Sequence, residues 1–162
     1  MNFEGKVAVI TGSSAGIGAE AAKKITSMGG RVTINYSKSK EAAEEVAHEC
    51  SHLGESPLII KSDIATDEGC KHLIDRAFSE FGAINILINN AGITKFADHS
   101  NLVALKRDDF ENILALNLNS NYELIKHARP HLAKNKKSSI VNISSVAGLR
   151  GLGSSVAYAA SK

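Results

Sequence analysis

Tyr158 and Lys162 stand four residues apart at the end of the chain, in the run Tyr-Ala-Ala-Ser-Lys. On a helix that spacing puts both side chains on one face, so an ammonium lies beside a phenol whose unperturbed pKa is about 10. The cation favours the phenolate, and a tyrosine able to give or take a proton near neutral pH is a general acid/base. Upstream, Asn117 and Ser145 supply an amide and a hydroxyl that strengthen this reading. Twenty-eight residues separate Asn117 from Ser145, and thirteen separate Ser145 from Tyr158. Ser144 is the competing hydroxyl next door.

Residues suited to a nucleotide stand near the other end. Thr11-Gly12-Ser13-Ser14-Ala15-Gly16-Ile17-Gly18 follows a short β-branched run, Lys6 to Thr11 (KVAVIT). It opens a helical pattern from Ala19 to Met28 that Gly29 and Gly30 close. A glycine turn between strand and helix lets backbone amides and a helix N-terminus face a pyrophosphate. The spacing is Gly-x-x-x-Gly-x-Gly, which a search for Gly-x-Gly-x-x-Gly would miss. A second glycine segment, Asn89-Asn90-Ala91-Gly92, follows another apolar run. Ligands in open parallel sheets bind beyond the carboxyl ends of strands, and both segments fall there.

The elements that must position these groups alternate. Strands are expected at Lys6 to Thr11, Arg31 to Tyr36 (RVTINY), Leu58 to Ile60, Ile84 to Ile88 (INILI) and Ile140 to Ile143. Between them fall helices at Ala19 to Met28, Lys40 to Leu53 and Asp67 to Phe81, the last ended by Gly82, and a long helix from about Asp108 to Lys134. A glycine-containing loop then leads to a final helix starting at Ser154. Near-continuous apolar strands alternating with helices predict a parallel sheet covered on both faces, an α/β doubly wound architecture. Pro130 should kink or end the long helix near its position. Without repeats, low-complexity tracts or a linker, residues 1–162 are expected to form one domain.

Bulk properties narrow the function. With 162 residues, 43% of them hydrophobic and 22% charged, the composition is that of an ordinary globular protein. A net charge of +2 with both signs scattered argues against nucleic acid and anionic membranes as partners. No signal peptide and no apolar stretch of about 18 residues is evident, and the expected location is the cytoplasm. Cys50 and Cys70 lack Cys-x-x-Cys spacing and fit reduced thiols. The pairs His48/His52 and His127/His131 stand four apart, but without a third ligand at defined spacing no metal site is predicted.

Taken together, Thr11 to Gly18, Asn89 to Gly92, Asn117, Ile143-Ser144-Ser145 and Tyr158 to Lys162 resemble, in order and separation, the short-chain dehydrogenase/reductase family. The details are similar to its 3-oxoacyl-carrier-protein reductases and glucose dehydrogenases, and the resemblance covers essentially the whole chain. It implies a Rossmann fold, a nicotinamide cofactor, and an oxidoreductase moving a hydride between that cofactor and a small carbonyl or alcohol substrate. By resemblance Tyr158 is the proton donor in reduction and acceptor in oxidation. Lys162 lowers its pKa and holds the nicotinamide ribose, Ser145 bonds the substrate oxygen, and Asn117 supports a proton-relaying water. Ser145 is preferred to Ser144 because its distance to Tyr158 matches.

The cofactor residues implied are Gly12, Ser14, Gly16, Ile17, Gly18, Tyr36, Ser37, Lys38, Asp63, Asn90, Ala91 and Gly92, together with Tyr158 and Lys162. Asp63 reads equally as a turn or N-cap aspartate. NAD-preferring relatives carry a carboxylate where Tyr36 stands. With Ser37 and Lys38 following, hydroxyls and an ammonium suit a 2′-phosphate, so NADP is expected, with NAD the alternative because Ala15 replaces a common basic residue. Family members continue past the final helix, so the sheet is expected to be incomplete at its C-terminal edge, with the fifth strand exposed. The alternative function is a shortened, non-catalytic product that binds nucleotide or pairs with a partner. For a full-length form the resemblance implies a homo-oligomer, built on the long helix and the Tyr158 helix.

Overall fold

The computed structural model describes residues 2–162. Five parallel strands, β1 (Val7–Ile10), β2 (Arg31–Tyr36), β3 (Leu58–Lys61), β4 (Ile86–Asn89) and β5 (Ser139–Asn142), form one sheet in the order β3-β2-β1-β4-β5. The registers pair Ala8 with Val32 and with Ile86, Asn35 with Ile60, and Asn89 with Asn142. Strand β1 (VAVI) is buried along its whole length because it lies in mid-sheet with helices on both sides. Its alternate side chains serve two cores. Ala8 and Ile10 pack with Ala22, Ile25, Ile34 and Val46, whereas Val9 packs with Leu73, Ile74, Leu87 and Leu124.

Helices α1 (Gly16–Ser27) and α2 (Lys40–Ser51) cover the first face, and α3 (Asp67–Phe81) and α5 (Ser120–Leu132) the second. Helix α3 shows how local sequence fixes an element. The Thr66 hydroxyl accepts from Gly69 N–H at 3.0 Å, Asp67 and Glu68 occupy the first turn, and Gly82 ends the helix at φ +70°. The expected bounds for α3 match, while α1 begins three residues earlier than the periodicity indicates, because the glycine turn itself enters the helix.

The long helix is not regular. It runs as α4 (Arg107–Leu114), a π-turn (Ala115–Asn119) and α5. Side chains satisfy carbonyls in and next to the widened turn: Ser120 Oγ donates to the Leu116 carbonyl at 2.5 Å and Asn121 Nδ2 to that of Asn117 at 3.0 Å. Pro130 lies inside α5, which ends two residues later. The expected glycine loop after β5 instead contains a short helix, α6 (Val146–Arg150), and the chain reaches Lys162 through α7 (Val156–Ser161). Strand β5 is the sheet edge, with all four residues exposed, as expected for the fifth strand. Among the described residues no helix is long and apolar enough to cross a membrane.

Candidate active site

Two cavities meet where the strand order reverses between β1 and β4. The first, about 470 Å³, is lined by the glycine turn at Gly12, Ser14, Ala15 and Gly16, by the end of β2 at Tyr36, Ser37 and Lys38, by Asp63, and by Asn90, Ala91 and Gly92. The second, about 590 Å³, is lined by Ile17, Ser144, Ser145, Tyr158 and Lys162, and shares Asn90, Gly92 and Ile93 with the first. The result is one cleft with a glycine-rich end and an end bearing a phenol, a hydroxyl and an ammonium.

The glycine-rich end is built by close backbone approach. Gly12 lies at φ +60°, and a Cβ there would sit 2.9 Å from Ala91 Cα. A Cβ on Gly18 would sit 2.6 Å from Asn90 Nδ2. Gly18 is buried and lines neither cavity, so its part is to let α1 close onto the turn after β4. Thr11, also buried, ties the two turns: its hydroxyl accepts from the N–H groups of Asn90 (3.0 Å) and Ala91 (3.1 Å). Asn90 Nδ2 answers by donating to the carbonyls of Thr11 and Gly12. Asn35 supports the turn from β2. Its Oδ1 accepts from Gly12 N–H at 3.2 Å, and its Nδ2 donates to the Ile60 and Ser62 carbonyls. Helix α1 has no side-chain cap at Ala15, which leaves its first-turn amides available to an anion. Asp63 makes the expected turn bond, its Oδ1 accepting from Ala65 N–H at 3.1 Å, and it also lines the first cavity.

At the other end, Ser145 is the N-cap of α6, its Oγ accepting from Ala147 N–H at 3.1 Å. That bond occupies an oxygen lone pair and leaves the hydroxyl hydrogen to donate. Ser144 is drawn away instead, donating to the Lys162 carbonyl at 2.7 Å. Tyr158 sits in the first turn of α7, where the Ser155 hydroxyl accepts from its N–H. Lys162 Nζ donates to the Ile143 carbonyl at 2.9 Å and lies 6.0 Å from the Tyr158 ring centre. Burial pulls the Lys162 pKa below its ordinary value.

Asn117 stands behind this wall. The π-turn directs it inward, 1% exposed, where its Oδ1 accepts from Ile93 N–H (2.8 Å) and its Nδ2 donates to the Ile93 carbonyl (2.9 Å) and to Ser161 Oγ (2.8 Å). A Cβ on Gly92 would lie 3.2 Å from Lys162 Nζ and 3.3 Å from Asn117 Oδ1, a tight fit that would push these side chains by a few tenths of an ångström. The motif reading passed over Asn35 and Ser161. For Asn35 the signal is an amide inside the β-branched run RVTINY, and for Ser161 a hydroxyl between the tyrosine and the lysine.

The histidines take separate paths. His127 bonds Asp67 at 2.8 Å, whereas His131 packs on Phe78 with ring centres 4.0 Å apart. His48 and its neighbour His52, just past the end of α2, face each other at the surface with Nε2 atoms 3.2 Å apart. Among the described residues the one cluster of three potential metal ligands, Asp67, Glu123 and His127, holds the Lys126 ammonium against both carboxylates.

Comparison with known proteins agrees with the fold. The profile of the short chain dehydrogenase family matches residues 6–162. The 3-oxoacyl-[acyl-carrier-protein] reductase FabG of Staphylococcus aureus is 33% identical over 157 residues, covering 97% of this chain and 63% of that protein. A short-chain dehydrogenase from Burkholderia cenocepacia in complex with NADP superposes with a TM-score of 0.92 at 34% identity, covering 100% of this chain and 64% of the other. An NAD+-bound xylitol dehydrogenase superposes with a TM-score of 0.91 at 26% identity, over 100% of this chain and 61% of its own. The chain thus spans under two thirds of the length of each.

Proposed function

The chain belongs to the short-chain dehydrogenase family, and from that premise we propose that it serves an NAD(P)-dependent oxidoreductase interconverting a carbonyl and an alcohol. The observation that carries the reading is the convergence of Ser145, Tyr158 and Lys162 on a cavity continuous with the glycine-lined one. The cleft suits a dinucleotide: Gly12 lets the two glycine turns of its floor approach so closely that a Cβ there would meet Ala91 Cα at 2.9 Å, and the uncapped α1 amides would face the anionic pyrophosphate. Gly12, Ser14, Gly16, Ile17, Asn90, Ala91 and Gly92 would hold it along the cleft floor, with Gly18 allowing the close packing beneath. The cofactor, when bound, supplies or takes up the hydride.

The protein's own part is to hold the substrate oxygen and move a proton. Ser145, its lone pair occupied by Ala147 N–H, donates its hydroxyl hydrogen to the carbonyl oxygen. Tyr158 gives the proton that turns the developing alkoxide into an alcohol, and takes it back in oxidation. Lys162, held by the Ile143 carbonyl, keeps positive charge beside the phenol. Asn117 acts through Ile93 and Ser161, fixing both walls against which these groups work.

NADP is the preferred form in this reading. Tyr36, Ser37 and Lys38 line the end of the first cavity, and the β2 terminus offers hydroxyls and an ammonium in place of a carboxylate. Cytosolic residence is in keeping with the two buried free thiols. Self-association would use the long helix and the Tyr158 helix, where Leu118 in the π-turn and Tyr122 on α5 are exposed, and light scattering would detect it.

The test has two parts. NADPH fluorescence titrated with protein should change saturably and at lower concentration than NADH; tighter NADH binding refutes the NADP preference. NADPH oxidation over a panel of ketones should then fall by about 10²–10⁴-fold in Tyr158→Phe. Cofactor binding without turnover would favour the non-catalytic reading instead.

A further inference from the structure

Helix α2 starts beside Ser39, on the wall of the first cavity, and its twelve residues carry the chain about 18 Å along the surface. Its inner side, Ala43, Val46, Ala47 and Cys50, packs into the first core, which leaves His48 and His52 outward on consecutive turns. The helical register holds as far as the second histidine. His52 lies at φ −80° and ψ −14°, its N–H donates to the Glu49 carbonyl at 3.2 Å, and Gly54 N–H closes the turn on the Cys50 carbonyl at 3.1 Å.

Spacing alone predicts no metal site here, but the folded chain adds a distance. The two Nε2 atoms stand 3.2 Å apart while the ring centres are 4.5 Å apart, so the imidazoles turn these nitrogens toward each other. Two nitrogens bonded to one ion at about 2.0–2.1 Å, with about 90–110° between the bonds, are themselves about 2.8–3.4 Å apart. The pair has that bite. Without an ion, the N–H of one ring can serve the lone pair of the other; an ion takes both Nε2 lone pairs at once, the hydrogens then residing on Nδ1.

The surroundings favour positive charge. Helix α2 carries Glu41, Glu44, Glu45 and Glu49 against a single lysine, Lys40. Lys40 pairs with Glu44, and Lys23 of α1 pairs with Glu49 and Glu20, so the helix surface stays net negative. The last carbonyls of α2 add the negative end of the helix dipole at the turn where His52 stands.

We infer that His48 and His52 bind one divalent cation of the imidazole-preferring class, zinc, copper or nickel, in a two-nitrogen site whose remaining positions belong to water. Imidazole suits these ions, whereas magnesium and calcium take oxygen. The ion clips the end of α2 to the preceding turn, so it acts on the stability of the fold and leaves the cleft alone.

The experiment titrates Zn2+ into the metal-free chain and reads binding by calorimetry and by the imidazole signals in 1H–13C NMR spectra. One ion per chain is expected, with the rings of His48 and His52 shifting together. His48→Ala and His52→Ala, both at exposed positions, should each weaken binding at least about tenfold, since either alone loses the second, intramolecular bond. His127→Ala, beside the Lys126 ammonium, should leave the affinity unchanged, and Mg2+ should shift neither ring. Zn2+ should raise the urea midpoint of the wild type and not that of His52→Ala; midpoints taken without metal show that each variant is folded. No binding at about 1 mM Zn2+, binding that survives the loss of either His48 or His52, or Mg2+ seated at the same rings overturns the site and leaves the pair as two surface imidazoles sharing a hydrogen.

Discussion

Asn117 commits both polar atoms of its side chain to protein, so one residue sets the distance between the turn after β4 and helix α7. Asn117→Ala removes three buried or part-buried hydrogen bonds and should lower unfolding stability by about 2–3 kcal/mol, measured by urea denaturation. Gly12 bears a different constraint. At φ +60° and with Ala91 Cα in the way of a side chain, Gly12→Ala must separate the two turns of the cleft floor. NADPH affinity should drop at least tenfold, with a stability loss of about 1–2 kcal/mol; unchanged affinity would mean that the dinucleotide lies elsewhere. At this scale the sequence was informative wherever chemistry demands a residue type. Ser145, Tyr158 and Lys162 stand at matching intervals, and the structure brings all three to one cavity. The clasping role of Asn117 was not legible, because its partners Ile93 and Ser161 are distant in sequence and reveal nothing by type.

Helix α3 and strand β1 were readable in advance because each carries its own instructions: a threonine cap and a closing glycine for one, an unbroken apolar run for the other. The π-turn was not, since a widened turn inside an otherwise regular helix leaves the hydrophobic period nearly intact. Its signature is the cluster of back-bonding side chains at Ser120 and Asn121. Helix α6 escaped for another reason: five residues, one of them Gly148 and only Ala147 buried, are too few to show a period. The packing of α3 against α5 carries a pH dependence. Cys70, on α3, is buried there, and burial first, then the charges of Asp67 and Glu123, push its thiol up to about 12. The unfolded thiol ionises near its ordinary value of about 8.5, so between these values the unfolded chain has lost a proton that the native chain keeps. Stability contributed by this group is therefore complete below about pH 8.5 and declines as pH rises toward 12, by at most about 1.4 kcal/mol per unit. Denaturant midpoints taken from pH 8 to 11 should fall, and Cys70→Ala should reduce the slope.

The order β3-β2-β1-β4-β5 puts the cleft where strands connected in opposite directions part, so the fold itself places both glycine segments side by side. That juxtaposition was foreseeable from alternating strands and helices; which strands neighbour one another was not, because register depends on pairings between distant parts of the chain. The exposed edge β5, with Ile140 and Val141 at 44% and 43%, is one of two edges where the sheet can accept another strand. The central strand has a consequence for biosynthesis. Val7 N–H bonds the side chain of Asn85, 78 residues away, so a growing polypeptide leaving the ribosome can pair β1 on one side early but must wait for β4 (Ile86–Asn89) before the other side is filled. A nascent chain arrested before Asn85 emerges should be cut readily by a protease within β1, and one arrested beyond Gly92 should resist. Until then the first strand made has one naked flank, and the cell's chaperones have their opportunity there.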